Sequence, residues 1–513
     1  MTRHLDTEVI VFGAGAAGLT LALDLARRHV DFVLVDKAPE PFPGSRGKGI
    51  QPRTQEVFED LGVIDRIVAS GGTYPLERVH TADGSLDRVA VATADPTPAE
   101  PYRIPLLVPQ FLTEQRLCER LAELGHAPRR GHELVGFDQD AGGVSARIAS
   151  PDGELTVRAA YLVGADGGSS TVRKALGIGF PGKTLGVRAV VADVLVDGVP
   201  DDAWHRWGQG SPDQVSLCPL RGTDMFQLQA PVPFDTDVDL SAAGLTALLR
   251  ARTGRADVGV RAVSWASAFS MNARLADTYR RGRVLLTGDA AHCHPPTGGQ
   301  GLNTSVQDAY NLGWKLAAVL RGAPEALLST YEQERRPIAE SVLGLSERLL
   351  EAARSRPTSR GREVSQLDLG YPDSPLSVTG PRDGGGVRGG DRAPDAPVTG
   401  AGGLPTRLFT LFRGTHWTLF GLDVPRGSAP EPRAGLHIHL VGAGGDLRDG
   451  AGHVRDAYGL SSGQWVLVRP DGYVAAVVDA SGLGTVASCL DAAGVRAARP
   501  GAATAAATPV GAA

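Results

Sequence analysis

At 513 residues the chain exceeds what one hydrophobic core normally serves, so two or three domains are expected. Its composition, 42% hydrophobic and 21% charged, is that of an ordinary globular protein, and a formal net charge of -5 gives no electrostatic case for nucleic acid or anionic lipid. There is no apolar run of membrane-spanning length and no signal peptide before the first strand, and the four scattered cysteines (Cys118, Cys218, Cys293, Cys489) lack zinc-site or CxxC spacing, so a reducing cytoplasm is the simplest location.

In chain order, Glu8–Phe12 (EVIVF) reads as a short buried strand. The turn Gly13-Ala14-Gly15-Ala16-Ala17-Gly18 follows, and the apolar spacing of LTLALDLARRHV then predicts a helix packed on a sheet. DFVLVD is a second strand ending at Asp36, which makes a βαβ unit with parallel strands. A GxGxxG hexamer is a weak signal alone. Here it follows a strand, opens a helix and precedes an acid at the end of the next strand, the arrangement that binds a dinucleotide. The glycines let backbone approach a pyrophosphate, the helix N-terminus supplies amides and positive potential, and Asp36 accepts from an adenosine ribose.

AAYLVGADG (159–167) and GRVLLTGDA (282–290) repeat one theme, an apolar strand followed by Gly and Asp. Between them, VRAVVADVLV, VSLCPLR and DMFQLQAPV alternate apolar and polar residues and predict an antiparallel sheet with one face covered. SVQDAYNLGWKLAAVLRG and TYEQERRPIAESVLGLSERLL are helical, whereas 354–405 shifts to Gly, Pro, Asp and Arg and reads as linker or surface loop. LFTLF, HWTLFGLD, LHIHLVG and WVLVRPDGYVAAVV form a small α/β stretch, and the Ala-rich end reads as a disordered tail. His292 and His294, two residues apart with no nearby acid or cysteine set, read as loop or cap residues, so no metal is expected.

Taken with the N-terminal hexamer, GADGGSSTVR (164–173) and GDAAHCHPPTGGQGLN (288–303) closely resemble the three signatures of the single-component (class A) flavoprotein aromatic monooxygenases, in the same order. Within that family the chain looks most like the polyketide and antibiotic hydroxylases with a phenol-hydroxylase-like C-terminal domain. The resemblance implies an α/β protein with a Rossmann-like FAD-binding domain of the glutathione-reductase type, an inserted antiparallel-sheet substrate domain and a C-terminal thioredoxin-like domain. The implied boundaries are 1–182 and 273–353 for the FAD-binding parts, 183–272 (with part of 74–105) for the substrate sheet, 354–405 for linker, 406–496 for the thioredoxin-like domain and 497–513 for the tail. That last domain has only Cys489 and no CxxC, which excludes dithiol redox chemistry there.

The same resemblance implies the site. Gly13, Gly15, Ala17 and Gly18 cradle the FAD diphosphate, with Asp36 and Lys37 at the adenosine end. Asp289 and Gln110 contact the ribityl chain, and Arg46 (in GSRGKGI) reaches the flavin or pyrophosphate. The turn Pro296, Gly298, Gly299, Gln300, Gly301, Leu302 and Asn303 lays backbone amides against the pyrimidine edge of the isoalloxazine, where fixed dipoles stabilise the reduced ring. Asp166 belongs to the motif that serves both folding and NAD(P)H use. Arg173 is a structural or cofactor-facing cation or a surface ion pair, and Lys48 either approaches the ring or lies in solvent.

A single dinucleotide fingerprint fits the resemblance, which implies NADPH or NADH as a transient cosubstrate without a domain of its own. In the family it reduces FAD, O2 adds at C4a, and the hydroperoxide passes one oxygen to an electron-rich ring, so no catalytic triad is required. Substrate choice is expected in the antiparallel sheet. Met225, Gln227 and Gln229 share one strand face and Phe226, Leu228 and Ala230 the other, and either face is able to floor the pocket. Trp204 and Trp207 cover a flat substrate or form an exposed staple. The expected partner is a small aromatic molecule of polycyclic, polyketide type together with O2, handled by a monomer or homodimer. Baeyer–Villiger or epoxidising chemistry, and a non-catalytic ligand-binding relative, stay open alternatives to hydroxylation.

Overall fold

The computed structural model describes residues 3–208, 210–235, 237–295, 298–355, 362–378 and 385–497. Strand β1 (Arg3–Phe12) owes its place to the apolar run at its end: Val9, Ile10 and Val11 are fully buried, as in a parallel sheet covered on both faces. Helix α1 (Ala16–Arg27) returns the chain to β2 (Phe32–Asp36), which pairs in parallel with β1, Val9 opposite Phe32. Helix α2 (Gln110–Glu123) packs beside α1. Strand β3 (Gly153–Gly164) then joins the other side of β1, Phe12 opposite Gly164.

The chain next leaves this sheet for a second, eight-stranded one. Its strand β4 (Gly182–Asp197) pairs antiparallel with β5 (Phe226–Val232) on one side and β6 (Gly259–Leu275) on the other. Helix α3 (Ala242–Thr253) covers one face, where Leu245 and Leu249 enter a core with Val190, Ala192, Phe226, Leu228 and Ala230. Alternation therefore turns Asp193 and Gln227 to the opposite face, toward the first sheet.

Strand β7 (Val284–Leu286) comes back beside β3, Gly164 opposite Leu286. The order β2-β1-β3-β7, all parallel, aligns the carboxyl ends of four strands. Each signature motif starts at one of those ends, the edge at which open α/β sheets bind ligands. Helices α4 (Gly301–Leu320) and α5 (Ala326–Ser355) follow. A Cβ on Gly313 would lie 2.3 Å from Asp24 Oδ2, so this glycine lets α4 lie against α1.

The C-terminal sheet has seven strands. Strand β8 (Trp417–Leu422) pairs in parallel with β9 (Leu436–Val441) and antiparallel with β10 (Trp465–Val468), which forms a hairpin with β11 (Val474–Val478). The segment expected as linker differs from that reading. Val364, Leu367, Tyr371 and Leu376 are buried, and Pro397–Gly400 is a strand of the C-terminal sheet. Its Gly/Pro-rich composition marks irregular but packed chain. The tail expected at 497–513 lies outside the described residues except for Ala497, which bridges to Arg433. Among the described residues no helix is long and apolar enough to cross a membrane.

Two features join the C-terminal sheet to α4 and α5. Trp314 meets Trp417 edge-on, with ring centroids 5.6 Å apart, within a shared apolar core. Beside it lies a buried ionic cluster: Arg469 donates to both oxygens of Glu334 at 2.7 and 2.8 Å and to Asp471 at 2.6 Å, while Lys315 donates to Glu334 at 2.6 Å. The two cations hold the Glu334 carboxyl well below the usual range against the opposing effect of burial, and burial brings Lys315 down to about 8. Two cations and two anions balance, which is what makes burial tolerable. Glu334→Gln leaves one carboxylate facing both cations. It is expected to cost about 3–5 kcal/mol of unfolding free energy by denaturant titration, with earlier proteolytic release of the C-terminal part.

Candidate active site

The glycine turn after β1 is built by close backbone approach. Gly13 has φ +102°, and a Cβ there would lie 2.3 Å from the carbonyl oxygen of Ala165, in the turn after β3. A Cβ on Gly18 would lie 1.8 Å from Gly13 O. Helix α1 has no side-chain N-cap, so its first amides face the groove. One of them, Ala16 N, donates to Glu114 at 3.2 Å. Gln110 Nε2 donates to the same Glu114 oxygen at 2.8 Å and Gln110 Oε1 accepts from Gly47 N at 3.1 Å, so α2 ties the turn to the loop carrying Arg46. Burial pushes the Glu114 carboxyl up to about 7. At the end of β2, Asp36 accepts from Ala14 N at 2.7 Å and Ala38 N at 2.8 Å, and the Lys37 side chain is exposed.

At the ends of β3 and β7 the two acids behave differently. Asp166 accepts from Thr171 N at 2.7 Å and Val172 N at 3.1 Å, capping the short helix Thr171–Ala175, while its buried Oδ1 has no hydrogen-bond partner. Arg173 is not a surface ion pair: it is buried, and it donates to Ala290 O and Gly168 O, both at 2.8 Å, bolting the two motifs together. Gly288 has φ +61°, and a Cβ there would touch Ala17 at 3.0 Å, so the turn before Asp289 packs directly on α1. Asp289 is solvent-accessible at the end of β7, with Ser305 of α4 beside it. Burial raises its carboxyl, opposed by the charges of His292 and Arg46 and by Ser305 Oγ at 3.4 Å. His292 lies in the two-residue strand His292–Cys293 and His294 in the loop that follows, as the loop reading of His294 has it. His294 Nε2 lies 2.9 Å from His292 Nδ1, and His292 Nε2 meets the carboxylate of Asp308, which Arg335 also holds at 2.7 Å.

In the turn that follows, Pro296 lies outside the described residues. Gly298 and Gly299 have φ +84° and +65°, and nothing stands within 4 Å of a Cβ built on Gly301, the first residue of α4. The side chains of Gln300 and Asn303 turn inward rather than to the cleft. Asn303 accepts from Gln51 N at 2.8 Å and donates to Gly49 O at 2.8 Å and Gly299 O at 2.7 Å. Gln300 donates to Val364 O at 3.2 Å and accepts from Gln366 Nε2 at 2.7 Å. The packed part of the segment expected as linker is thus a strap behind the turn. Leu302 meets the arginine loop, 3.2 Å from a Cβ built on Gly47.

The antiparallel sheet faces this edge with groups the sequence analysis did not single out. Trp265, on β6, meets Phe42 edge-on at 5.3 Å, and the Arg46 guanidinium lies 5.4 Å from the Phe42 ring and 5.8 Å from that of Trp265. Lys48 is buried, its Nζ 4.4 Å from the centre of Trp204. Trp204 and Trp207 are both buried, so neither is an exposed staple. Of the two β5 faces, Phe226, Leu228 and Ala230 enter the α3 core, while Gln227 bonds Ser45 and Gln229 bonds Gln227 at 2.6 Å. Met225 precedes the strand and is half-buried.

These features fit an FAD. A helix start whose N-cap, Gly15, has no side chain, beside glycines that leave no room for a Cβ, suits a diphosphate. A solvent-accessible acid at the strand edge and open space at the first turn of α4 suit a polyhydroxyl chain and a flat ring. Comparison with known proteins agrees. Residues 6–346 match the family model described as FAD binding domain, and residues 387–498 that described as aromatic-ring hydroxylase, C-terminal. The chain belongs to the FAD-dependent aromatic-ring hydroxylases. It is 42% identical over 482 residues to a flavin-dependent monooxygenase of Mycobacteroides abscessus, covering 92% of this chain and 97% of the relative. It is 35% identical over 517 residues to the 12-dehydrotetracycline 5-monooxygenase/anhydrotetracycline 6-monooxygenase of Streptomyces rimosus, covering 91% and 94%. The crystal structure of a ternary complex of aklavinone-11 hydroxylase with FAD and aklavinone superposes with a TM-score of 0.81 at 30% identity, covering 96% of this chain and 99% of that one. This hydroxylase is accordingly an FAD-dependent monooxygenase, and NAD(P)H is the reductant typical of its family.

Glu114 gives a pH signature. Its folded-state pKa lies above that of an exposed glutamate, so the folded state prefers the neutral acid, and stability is lost as pH rises from the unfolded value through about 7. Glu114→Gln is expected to flatten the fall in thermal midpoint of the flavin-free protein between about pH 5 and 8, measured by scanning calorimetry.

Proposed function

We propose that this hydroxylase oxygenates a polycyclic, polyketide-type aromatic substrate at the cleft between the parallel sheet and the antiparallel sheet. The observation that carries the reading is the convergence of three turns, at Gly13, Asp166 and Asp289, on one strand edge facing a second sheet. The fused-ring substrates in the names of the tetracycline and aklavinone relatives support the substrate class.

In this reading Gly13, Gly15, Ala17 and Gly18 hold the diphosphate on the amides and positive end of α1. Asp36, with Lys37 beside it, takes the adenosine ribose. Asp289 accepts from ribityl hydroxyls, Gln110 stands beside the same chain, and Arg46 presents its forked donors to flavin or phosphate oxygens. Backbone amides of the Gly298–Asn303 turn, at the N-terminus of α4, stabilise negative charge at the pyrimidine edge without a mobile counter-ion. Asp166 holds the β3 turn in shape, which supports its being structural as much as nicotinamide-related. Gln229, with Met225 at the strand entrance, forms part of the substrate wall, which also excludes water, while buried Gln227 backs it through its bonds to Gln229 and Ser45. The bound flavin supplies the chemistry: it takes electrons from NADPH or NADH and activates O2 for oxygen transfer. The C-terminal part, with a parallel pair flanked by a hairpin and one cysteine, is thioredoxin-like in architecture and serves assembly rather than redox exchange.

The protein is expected to purify yellow, and Asp289→Ala to purify largely colourless. Absorbance of the released cofactor measures both, and a variant retaining FAD like the wild type removes Asp289 from the cofactor site. NAD(P)H consumption is expected to accelerate with the right member of a panel of polycyclic phenols and quinones, with a product heavier by one oxygen in the mass spectrum. No acceleration and no oxygen gain across the panel would count against the substrate class.

A further inference from the structure

The loop 42–50 carries two cations and is gripped at its centre. Ser45 is fully buried, its N–H donates to Asp193 Oδ2 at 2.7 Å, and its hydroxyl donates to the other oxygen of the same carboxylate. Gln227, opposite Asp193 on the neighbouring strand, donates to Ser45 Oγ at 2.8 Å. On one side of this grip Arg46 leans on Phe42 and Trp265, and Trp265 is the residue opposite Asp193 on β6. On the other side Lys48 leans on Trp204. The loop also fits too tightly to slide, since a Cβ on Gly44 would lie 2.4 Å from the Trp265 ring.

Asp193 is itself fully buried in the middle of a strand, where a carboxylate is costly unless it is used. Among its described contacts no side-chain cation hydrogen-bonds it, and the charge of Lys48 acts on it through space. Its two oxygens instead take the two donors of one loop residue. Burial raises its carboxyl to about 6, so at neutral pH it is ionised and able to accept both.

We propose that Asp193 is a positioning residue for Arg46: through Ser45 it clamps loop 42–50 to the substrate sheet and sets where that guanidinium stands over the flavin. The proposal rests on the reading that FAD fills the cleft and meets Arg46. It adds that the sheet carrying the substrate wall and the loop carrying the cation move as one body.

Two measurements test it. In flavin-free protein, Asp193→Ala is expected to speed amide hydrogen exchange in residues 42–50 and not in β1 or α1. Asp193→Asn, which keeps the backbone acceptor, and Ser45→Ala, which removes only the hydroxyl, are expected to speed it less. Unchanged exchange in the loop overturns the clamp. In FAD titrations followed by flavin fluorescence, Asp193→Ala is expected to weaken binding about tenfold when Arg46 is present and less than about twofold in the Arg46→Ala background, because coupled groups are not additive. Equal losses in both backgrounds, or none in either, overturn the positioning role. Should Asp193→Ala fail to fold, Asp193→Asn carries the same cycle with smaller losses. A wild type that binds no FAD refutes the flavin reading instead, and the exchange experiment still decides the clamp.

Discussion

The whole site depends on one backbone contact, the approach of the first glycine turn to the turn after β3. Gly13 lies so close to the Ala165 carbonyl that no side chain fits between them, and hydrogen bonds from Ala165 N to Phe12 O and from Thr287 N to Gly164 O continue the sheet up to its edge. Parallel register sets this contact: with Phe12 level with Gly164 and Gly164 level with Leu286, the turns that follow must share one small region. The N-terminus of α1, the Asp166 cap and the Asp289 turn are then neighbours by construction.

Five buried or partly enclosed acids show how pairing sets the state of a carboxyl. Buried Glu334, at the junction with the C-terminal sheet, is matched by Arg469 and Lys315, and buried Asp308, behind the Asp289 turn, by Arg335 and His292; both carboxyls are held low. Around the cleft, Glu114, Asp193 and Asp289 have no hydrogen-bonded side-chain cation among their described contacts, and burial raises all three. Paired charges fasten domains, whereas raised acids beside a cleft are available to a ligand or to a loop that serves one. The same distinction separates Arg173, consumed by two carbonyls, from Arg46, which rests on aromatic faces.

What was legible in the sequence was local in the chain. The turn at 13–18, the acids after two apolar strands and the antiparallel alternation each announce themselves within about a dozen residues, the range over which periodicity and turn chemistry operate. Groups brought together by tertiary contact were not legible. Ser45 and Asp193 are far apart in sequence, and nothing in GSRGKGI or VVADVLV marks them as partners. Gln227 was read correctly as lying on a different face from Phe226, but only the position of α3 decides which of the two faces the loop. Composition misled at 362–378, because glycine and proline report irregular backbone and not exposure. The buried residues there include the unbroken run Val364–Leu367, half of it polar.

That misread segment carries a consequence for how such enzymes diversify. Gln366 accepts a hydrogen bond from the Gln307 amide on α4 and donates one to Gln300 in the flavin-side turn, and the chain after it runs toward the C-terminal sheet. Recombining the part after α5 with that of a relative would therefore not be a neutral swap of a remote module. It would replace the brace behind the turn that the flavin ring must meet, and crossovers placed after this strap should yield working hybrids more often than crossovers placed before it.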